Sequence, residues 1–262
     1  MRRWRCTVAD VPYYADDQVA LYLGDCRELV PALGLTADLL VLDPPYGETS
    51  LAWDRWPDNW VEVAASVAKS MWCFGSMRMF LEHGHEYAAA GWKFSQDIVW
   101  EKHNGSGFHN DRFKRVHEHA LFWYQGDWSD VRHEVPTTAD AVKRAVRTKR
   151  RPPQMGQIDK SPYVSEDGGP RLMRSVLQVR SMHGKAIAPT EKPVGILDPL
   201  IRYSCPEGGL VLDLFTGSGS TLEAARQSGR RAIGIEADEA QIEKAAKRLS
   251  QGVLDFEMDG AA

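Results

Sequence analysis

The stretch Val211-Leu212-Asp213-Leu214-Phe215-Thr216-Gly217-Ser218-Gly219-Ser220-Thr221 has the pattern of a buried strand that ends in a glycine turn and continues into a helix. Such a turn brings backbone amides close to a nucleotide-like ligand. A second predicted strand, residues 231–236, ends in the carboxylate of Glu236, 19 residues after Gly217, where an acid is expected to bind ribose hydroxyls. Together the two features predict a strand–loop–helix unit that holds a nucleotide-like ligand.

The glycine turn lacks the residues that bind phosphate groups. A dinucleotide-binding turn has a third glycine where this chain has Leu222, and a P-loop has a lysine that is absent here. A ligand with an adenosine part and no phosphates, such as S-adenosyl-L-methionine, fits better, because ribose and adenine need the acid and the turn but no cationic cradle. A tight strand-to-helix turn without a ligand is the alternative.

Apolar runs and helix-like stretches alternate along the rest of the chain. The predicted strands are residues 19–23, 38–42, 71–74, 98–100, 120–124, 210–214 and 232–235. The predicted helices are residues 60–69, 77–90, 194–204, 221–228 and 239–249. This alternation predicts an α/β fold with a doubly wound, mostly parallel sheet of seven strands.

The segment 126–188 interrupts the alternation, since it contains five prolines and few hydrophobic periods. We therefore expect an irregular insertion between a first half, residues 1–125, and a last half, residues 189–262. Its basic residues cluster within 141–151, where there is no acidic residue; they are Lys143, Arg144, Arg147, Lys149, Arg150 and Arg151. Such a run is either a solvated surface or a contact to phosphates.

Length and composition restrict the class of protein further. A chain of 262 residues, 43% apolar and 26% charged, is neither disordered nor a disulfide mini-fold, and its net charge of −4 excludes a polycation that coats nucleic acid. No apolar run reaches the roughly 18 to 20 residues of a membrane span, so we expect a cytoplasmic protein with no membrane partner. Its four cysteines form no Cys-x-x-Cys pair, which argues against a zinc knuckle.

A second motif, Asp43-Pro44-Pro45-Tyr46, follows the predicted strand 38–42. The two prolines fix the backbone and withhold their amides. The Asp43 carboxylate and the Pro44 carbonyl oxygen can accept the two hydrogens of a planar amino group while Tyr46 stacks on its ring. Accepting these hydrogens restores lone-pair density on a poor nucleophile, which can then attack a sulfonium methyl group directly. A Pro-Pro turn without such a role is the alternative.

The combination of this motif with Phe215-Thr216-Gly217-Ser218-Gly219 far downstream resembles the amino-methyltransferases of DNA, and the order, clamp first and cofactor loop last, resembles their beta class. The resemblance covers most of the chain outside residues 126–185. It implies a Rossmann-like methyltransferase sheet in circularly permuted order, S-adenosyl-L-methionine as cofactor and duplex DNA as substrate. It also implies that the insertion is the target-recognition region.

The resemblance further implies roles for individual residues. The catalytic clamp is Asp43, Pro44, Pro45 and Tyr46. The cofactor contacts are Asp25 and Cys26 at the adenine ring, Lys192 in the segment before the helix at the methionine end, and also Asp43, Asp213, Phe215, Gly217, Gly219, Ser220, Thr221 and Glu236. The six basic residues of the insertion contact DNA phosphates, and other residues of the insertion read base edges.

The target atom follows from the same resemblance. In this family the residue before Pro-Pro-Tyr tends to be Asp for N6 of adenine and Ser for N4 of cytosine, so Asp43 predicts methylation of adenine N6 after base flipping. Cytosine N4 is the nearest alternative. A carbon-5 enzyme needs a cysteine after proline, and neither Cys73 nor Cys205 has that context. A binding protein that has lost catalysis is a further possibility, as is a methyltransferase that acts on protein or RNA.

Partners and metals complete the expectations. Members of the family are often dimers, so a homodimer and a separate restriction endonuclease of a restriction–modification system are implied partners. The segment His117-Glu118-His119 contains metal-ligand residue types, but its histidines alternate along a predicted strand and lack further ligands at suitable spacing. We therefore predict a structural role for it and no metal site.

Overall fold

The structure, a computed structural model, describes residues 11–106, 110–146, 163–182, 187 and 191–259. The chain divides into two compact units: residues 1–134 with 175–262 form the first, and residues 135–174 form the second. The second unit lies within the sequence range of the predicted insertion. Within the described ranges, no helix has both the length and the apolar character needed to cross a membrane.

The first unit is built on a nine-stranded sheet. In spatial order its strands are β1 (Tyr14–Ala15), β2 (Val19–Leu23), β13 (Arg231–Glu236), β12 (Leu210–Asp213), β3 (Leu39–Leu42), β4 (Ser70–Gly75), β6 (Arg115–Tyr124), β5 (Lys93–Ser106) and β11 (Val176–Gln178). Strand β1 is antiparallel to β2, and β6 is antiparallel to both of its neighbours, whereas the other pairs are parallel. The predicted doubly wound, mostly parallel sheet is confirmed.

The sheet has a permuted strand order, because β12 and β13 come late in the chain and lie between β2 and β3, which come early. All seven predicted strands are present, and the short edge strands β1 and β11 add to them. Strand β5 is much longer than the predicted 98–100, since it pairs with β6 over polar residues that carry no apolar signal. Strand β11 comes from the end of the predicted insertion and pairs with β5.

Helices cover the two faces of the sheet. They are α1 (Cys26–Leu33), α2 (Trp60–Val67), α3 (Met77–Ala89), α4 (Val194–Ser204), α5 (Ser220–Gln227) and α6 (Glu239–Asp259). Helix α1 is absent from the sequence expectation because Pro31, inside it, is typical of a helix breaker. It forms nevertheless, since the Asp25 side chain accepts a hydrogen bond from the Arg27 amide and Gly34 ends the helix in the left-handed conformation.

Two apolar cores lie on opposite faces of the sheet. Along β3, Leu39 and Val41 belong to one core and Leu40 and Leu42 to the other, as the alternation of side chains in a strand requires. Helices α4, α5 and α6 pack into the first core, and α1, α2 and α3 pack into the second. Because both faces are covered, the carboxyl ends of the parallel strands form an open edge where a ligand can bind.

The second unit contains two small antiparallel pairs. Strand β7 (Thr137–Thr138) pairs with β10 (Arg171–Leu172), and β8 (Arg144–Val146) pairs with β9 (Tyr163–Ser165). These elements are short, as expected for a segment with many prolines and few hydrophobic periods.

Candidate functional site

A cavity of about 520 Å³ lies at the carboxyl ends of β2, β3, β12 and β13. Carboxyl ends of neighbouring parallel strands are where ligands bind in open α/β sheets. Most residues predicted as cofactor contacts line it together: Asp25, Cys26, Asp43, Lys192, Asp213, Phe215, Gly217, Ser220, Thr221 and Glu236. Pro45 of the predicted clamp lines it too, so the fold brings both sequence motifs to one cavity.

The glycine turn forms one wall of the cavity. Gly217 and Gly219 have φ angles of 53° and 81°, a left-handed conformation that favours glycine. Gly219 does not line the cavity; it precedes the first turn of α5, and its amide donates a hydrogen bond to the Thr216 carbonyl. The amide of Phe215 donates to Asp213 Oδ1 at 3.0 Å, which ties the turn to the end of β12.

Glu236, at the end of β13, faces this turn. Its Oε2 atom accepts a hydrogen bond of 2.7 Å from the Gly217 amide, and its Oε1 atom accepts one of 2.9 Å from the Asp238 amide. Burial raises the pKa of the Glu236 carboxyl, although these amide hydrogen bonds act to lower it. The carboxylate thus shapes the turn and lines the cavity. Its binding of ribose hydroxyls stays a prediction.

Asp213 is a deeply buried acid of the cavity wall. Burial raises the pKa of its carboxyl to about 7, against the hydrogen bonds from Thr221 and Phe215 that act to lower it. The nearby carboxylates of Asp43 and Glu236 also raise this pKa, because a second negative charge is costly there. The wall therefore favours a ligand that brings positive charge.

The cavity matches the chemistry of S-adenosyl-L-methionine. The cations that line it already have partners: Arg27 Nη2 lies 2.5 Å from Asp25 Oδ2, and Lys192 Nζ lies 2.5 Å from Asp43 Oδ2. Arg55 Nη1 donates to the carbonyl oxygens of Leu51 and Asp54. The Gly217 amide donates to Glu236 and is not directed at a phosphate. A cationic ligand with a nucleoside part and no phosphates fits this donor and acceptor set.

The clamp motif follows β3 and is closed on itself. The Tyr46 hydroxyl donates a hydrogen bond of 2.7 Å to Asp43 Oδ1, and Lys192 Nζ contacts Asp43 Oδ2. The Tyr46 hydroxyl therefore hydrogen-bonds to a carboxylate oxygen that the motif predicts as an acceptor for an amino group. Burial, followed by the negative charges of Asp43 and Glu118, raises the pKa of Tyr46, so its hydroxyl stays a donor.

A buried acid that the sequence analysis missed holds the turn after the clamp. Asp54 accepts hydrogen bonds from the amides of Gly47 at 2.8 Å and Thr49 at 2.7 Å. Burial acts to raise the pKa of Asp54, but the hydrogen bonds from Thr49, Gly47 and Tyr46 outweigh it and lower the pKa. No sequence signal marks Asp54, because its partners are backbone amides whose position depends on the folded loop.

The predicted DNA-contact residues are only partly described. Lys143 and Arg144 are exposed in the second unit, and Lys143 Nζ lies 3.3 Å from Glu166 Oε2. The other four predicted contacts, Arg147, Lys149, Arg150 and Arg151, lie outside the described residues.

The His117-Glu118-His119 segment lies in β6. The rings of His117 and His119 are on the same side of the strand, with centroids 5.2 Å apart. The expectation that the two histidines alternate is therefore wrong, because residues two apart in a strand share a face. Among the described residues, no group of three or more His, Cys, Asp or Glu side chains is arranged to hold a metal ion. Glu118 points to the opposite side, where it contacts Lys192.

Sequence comparison relates the chain to known methylases. A model of the N6/N4 methyltransferase family, described as DNA methylase, matches residues 37–247. The type II methyltransferase M2.DpnII of Streptococcus pneumoniae is 24% identical over 266 residues, which cover 91% of this chain and 92% of the relative. The putative methylase YubD of Escherichia coli K12 is 30% identical over 251 residues, which cover 91% of this chain and 93% of the relative.

Solved structures share the fold. The crystal structure of the M1.HpyAVI–SAM complex aligns with a TM-score of 0.62 at 21% identity, over 88% of this chain and 99% of that chain. The PvuII DNA methyltransferase, described as cytosine-N4-specific, aligns with a TM-score of 0.60 at 14% identity, over 90% of this chain and 87% of that chain.

Proposed function

Since the chain belongs to the N6/N4 DNA methylase family and is an S-adenosyl-L-methionine-dependent DNA methyltransferase, we propose that it methylates the N6 amino group of adenine in duplex DNA. The observation that carries this proposal is the position of Asp43, which lies at the edge of the cofactor cavity within Asp-Pro-Pro-Tyr. In this motif Asp favours adenine, whereas Ser favours N4 of cytosine.

Cofactor binding is proposed for the cavity wall. S-adenosyl-L-methionine supplies the sulfonium-activated methyl group for the reaction. Glu236 is placed to accept hydrogen bonds from ribose hydroxyls, and Asp25 and Cys26 line the part of the cavity assigned to adenine. The acidic side chains of the wall, among them Asp25, Asp213 and Glu236, favour the positive charge of the cofactor through ordinary Coulomb attraction.

The clamp residues are proposed to activate the target nitrogen. A planar amino group that enters takes the place of the Tyr46 hydroxyl at Asp43 Oδ1, and its second hydrogen reaches the Pro44 carbonyl oxygen. Tyr46, displaced from Asp43, is then free to stack on the base. With both hydrogens accepted, the nitrogen lone pair would be free to attack the methyl group as its bond to the sulfonium sulfur breaks, and Asp43 Oδ1 would accept the proton that the nitrogen loses.

DNA binding is proposed for the insertion 126–188, which includes the second unit. Its support is the local concentration of basic residues in a chain whose net charge is −4. Because the Asp43 side chain is only 27% exposed, a base stacked inside a duplex cannot reach it, and the target must flip out. A homodimer and an accompanying restriction endonuclease remain predictions from the family resemblance.

Labelled methyl transfer tests the proposal. The purified protein is incubated with methyl-labelled S-adenosyl-L-methionine and, in parallel, unmethylated genomic DNA, total RNA or a protein extract. We expect label in DNA alone, and N6-methyladenine after hydrolysis to nucleosides. Cytosine N4 is the second candidate target, because the fold aligns with the cytosine-N4-specific PvuII enzyme about as well as it aligns with M1.HpyAVI. Label recovered in N4-methylcytosine would favour this second candidate.

A further inference from the structure

A row of four side chains with alternating charge runs from the clamp into the sheet. Lys192 Nζ lies 2.5 Å from Asp43 Oδ2 and 3.4 Å from Glu118 Oε2, and Lys102 pairs with the Oε1 atom of Glu118. The residues to which the family resemblance gives a role include Asp43 and Lys192 but neither Glu118 nor Lys102. Glu118 is therefore the side chain that connects the clamp to the sheet.

The sheet holds Glu118 in place. Glu118 on β6 lies opposite Trp100 on β5, and Lys102, two residues further along β5, is its diagonal neighbour on the same face. The ammonium group of Lys102 also lies 4.6 Å from the centroid of the Trp100 ring. The Glu118 side chain is 15% exposed, so it has little room to change its position.

Lys192 depends on these acids to keep its charge. Its side chain is 6% exposed, and burial alone would lower its pKa, but the negative charges of Asp43 and then Glu118 raise the pKa above the ordinary lysine value. On the same grounds, burial acts to raise the pKa of Glu118, while Lys192 and Lys102 lower it to about 2. Lys192 is thus a charged ammonium group held between two carboxylates.

The other groups around Lys192 do not replace Glu118. The aromatic rings of Phe74 and Tyr46 have their centroids 5.3 Å and 5.9 Å from Nζ, and the Tyr46 hydroxyl donates to Asp43. The Cys73 thiol faces Asp43 and Lys192 from β4, and burial raises its pKa to about 12. Asp213, also near Asp43, is held by Phe215 and Thr221. The carboxylates that pair with Lys192 in the described ranges are those of Asp43 and Glu118.

We propose that Glu118 is a positioning residue for methyl transfer: it holds the Lys192 ammonium group against Asp43 Oδ2 and so leaves Asp43 Oδ1 aimed at the target amino group. This inference rests on the proposed function. If Asp43 were the only partner of the Lys192 ammonium group, the ammonium group would move with the Asp43 carboxylate when that carboxylate rotates. Because Glu118 holds the ammonium group from the other side, the ammonium group restricts this rotation. A small error in aiming a reacting group lowers a rate by about 100-fold.

The test compares Glu118→Gln, Glu118→Asp and the wild type, with Glu101→Gln as the matched control. Glu101 is also a sheet carboxylate, but it pairs with Gln178 and makes no contact with Lys192 in the described structure. For Glu118→Gln we expect the single-turnover rate of DNA methylation to fall by about 10- to 100-fold, while the dissociation constant for S-adenosyl-L-methionine changes less than about twofold. Glu118→Asp keeps the charge and should recover part of the rate.

A pH profile separates positioning from general loss of structure. Removing the Glu118 charge lowers the pKa of Lys192, so the rate of Glu118→Gln should begin to decline at a lower alkaline pH than the rates of the wild type and Glu101→Gln. If Glu118→Gln folds poorly, the double variant Lys102→Met/Glu118→Gln takes its place. It removes one positive and one negative charge together, so the net charge of the buried cluster does not change. That double variant should show the same slow rate and alkaline decline.

Three outcomes are distinguishable. A wild type without DNA methylation contradicts the proposed function itself. A methylating wild type with Glu118→Gln equal to Glu101→Gln in rate and pH profile overturns the inference alone. A slow Glu118→Gln variant with an unchanged alkaline profile, not improved by Glu118→Asp, also overturns it, because its defect would not depend on the charge that holds Lys192.

Discussion

Lys192 Nζ lies 2.5 Å from Asp43 Oδ2, although 149 residues separate the two in the chain. This contact joins the clamp that follows β3 to the segment that leads into α4, and it lies on the cofactor cavity. Because the Lys192 side chain is buried, the contact is less screened by solvent than a surface ion pair. The contact forms because α4, into which the Lys192 segment leads, packs against β3, and Asp43 follows β3 directly.

The packing of the glycine turn against β13 is tested by Gly234→Ala. A Cβ atom at Gly234 would lie 2.4 Å from Thr216 Oγ1 and 2.8 Å from Leu222 Cδ2. We expect the free energy of unfolding to fall by about 1–3 kcal/mol. Gly84→Ala, inside α3 with no atom within 4 Å of the added Cβ, is the control and should stabilise the protein by about 0.5–1 kcal/mol. Equal effects in denaturant melts would contradict the account.

The sequence predicts well what local pattern determines. Strand β12, the glycine turn and α5 are contiguous, so their hydrophobic pattern and the two glycines are sufficient. Helix α1 is not predicted, because Pro31 in its interior is typical of a helix breaker. The capping roles of Asp25 and Gly34, which favour the helix, are recognised only in the folded structure.

Contacts across the sheet are not predictable in this way. The sequence assigns Glu118 a structural role together with His117 and His119, because a single acid in a strand has no periodicity that points to a partner. Its contact with Lys192 depends on strand order and register. The closed state of the clamp, with Tyr46 donating to Asp43, likewise follows from folded geometry and not from the motif.

Asp213→Asn tests the buried acid of the cavity. The pKa of Asp213 is raised to about 7, so the folded protein retains a proton that the unfolded chain loses near its ordinary value of 3.8. The wild type therefore loses stability as pH rises from about 4 to 7, on the order of a few kcal/mol, because each pKa unit corresponds to about 1.4 kcal/mol. Thermal melts should show that the stability of the variant rises relative to that of the wild type between about pH 4 and 7. A difference that does not change with pH would contradict this.

The same acid should make cofactor binding pH-dependent. A cationic ligand beside Asp213 favours the charged carboxylate, so binding releases a proton below about pH 7. We expect the wild-type affinity for S-adenosyl-L-methionine to rise from pH 6 to pH 8, and the Asp213→Asn variant to show a flatter dependence. Titration calorimetry in buffers of different ionisation enthalpy measures the released proton directly.

Glu236→Ala tests the ribose-binding assignment. The change removes the acceptor for the Gly217 and Asp238 amides as well as the proposed acceptor for ribose hydroxyls. We expect the dissociation constant for S-adenosyl-L-methionine to rise by about 10- to 100-fold, since one or two hydrogen bonds to a charged group are lost. Glu239→Ala, an exposed acid three residues later, should bind like the wild type. Similar affinities for both variants would refute the role of Glu236.

The basic run of the insertion is tested by salt dependence. Neutralising Arg150 and Arg151 to Ala should weaken DNA binding and reduce the slope of log affinity against log salt by about 2, because each phosphate contact contributes roughly one released counterion. Cofactor affinity should not change. A double variant at Arg78 and Arg202, exposed residues of α3 and α4, controls for total charge. If the slope of log affinity against log salt is unchanged in the Arg150 and Arg151 double variant, the basic run is a solvated surface and does not contact DNA phosphates.

The most direct measurement is made in cells. The protein and its Asp43→Ala variant are expressed in a host that lacks DNA methylation, and the chromosomal DNA is hydrolysed and analysed by mass spectrometry. The account predicts N6-methyladenine with the wild type and none with the variant, while both bind S-adenosyl-L-methionine. N4-methylcytosine would contradict the assigned base and leave the clamp chemistry intact. Neither modified base from a folded, cofactor-binding wild type, or N6-methyladenine at wild-type level from Asp43→Ala, would contradict the central claim.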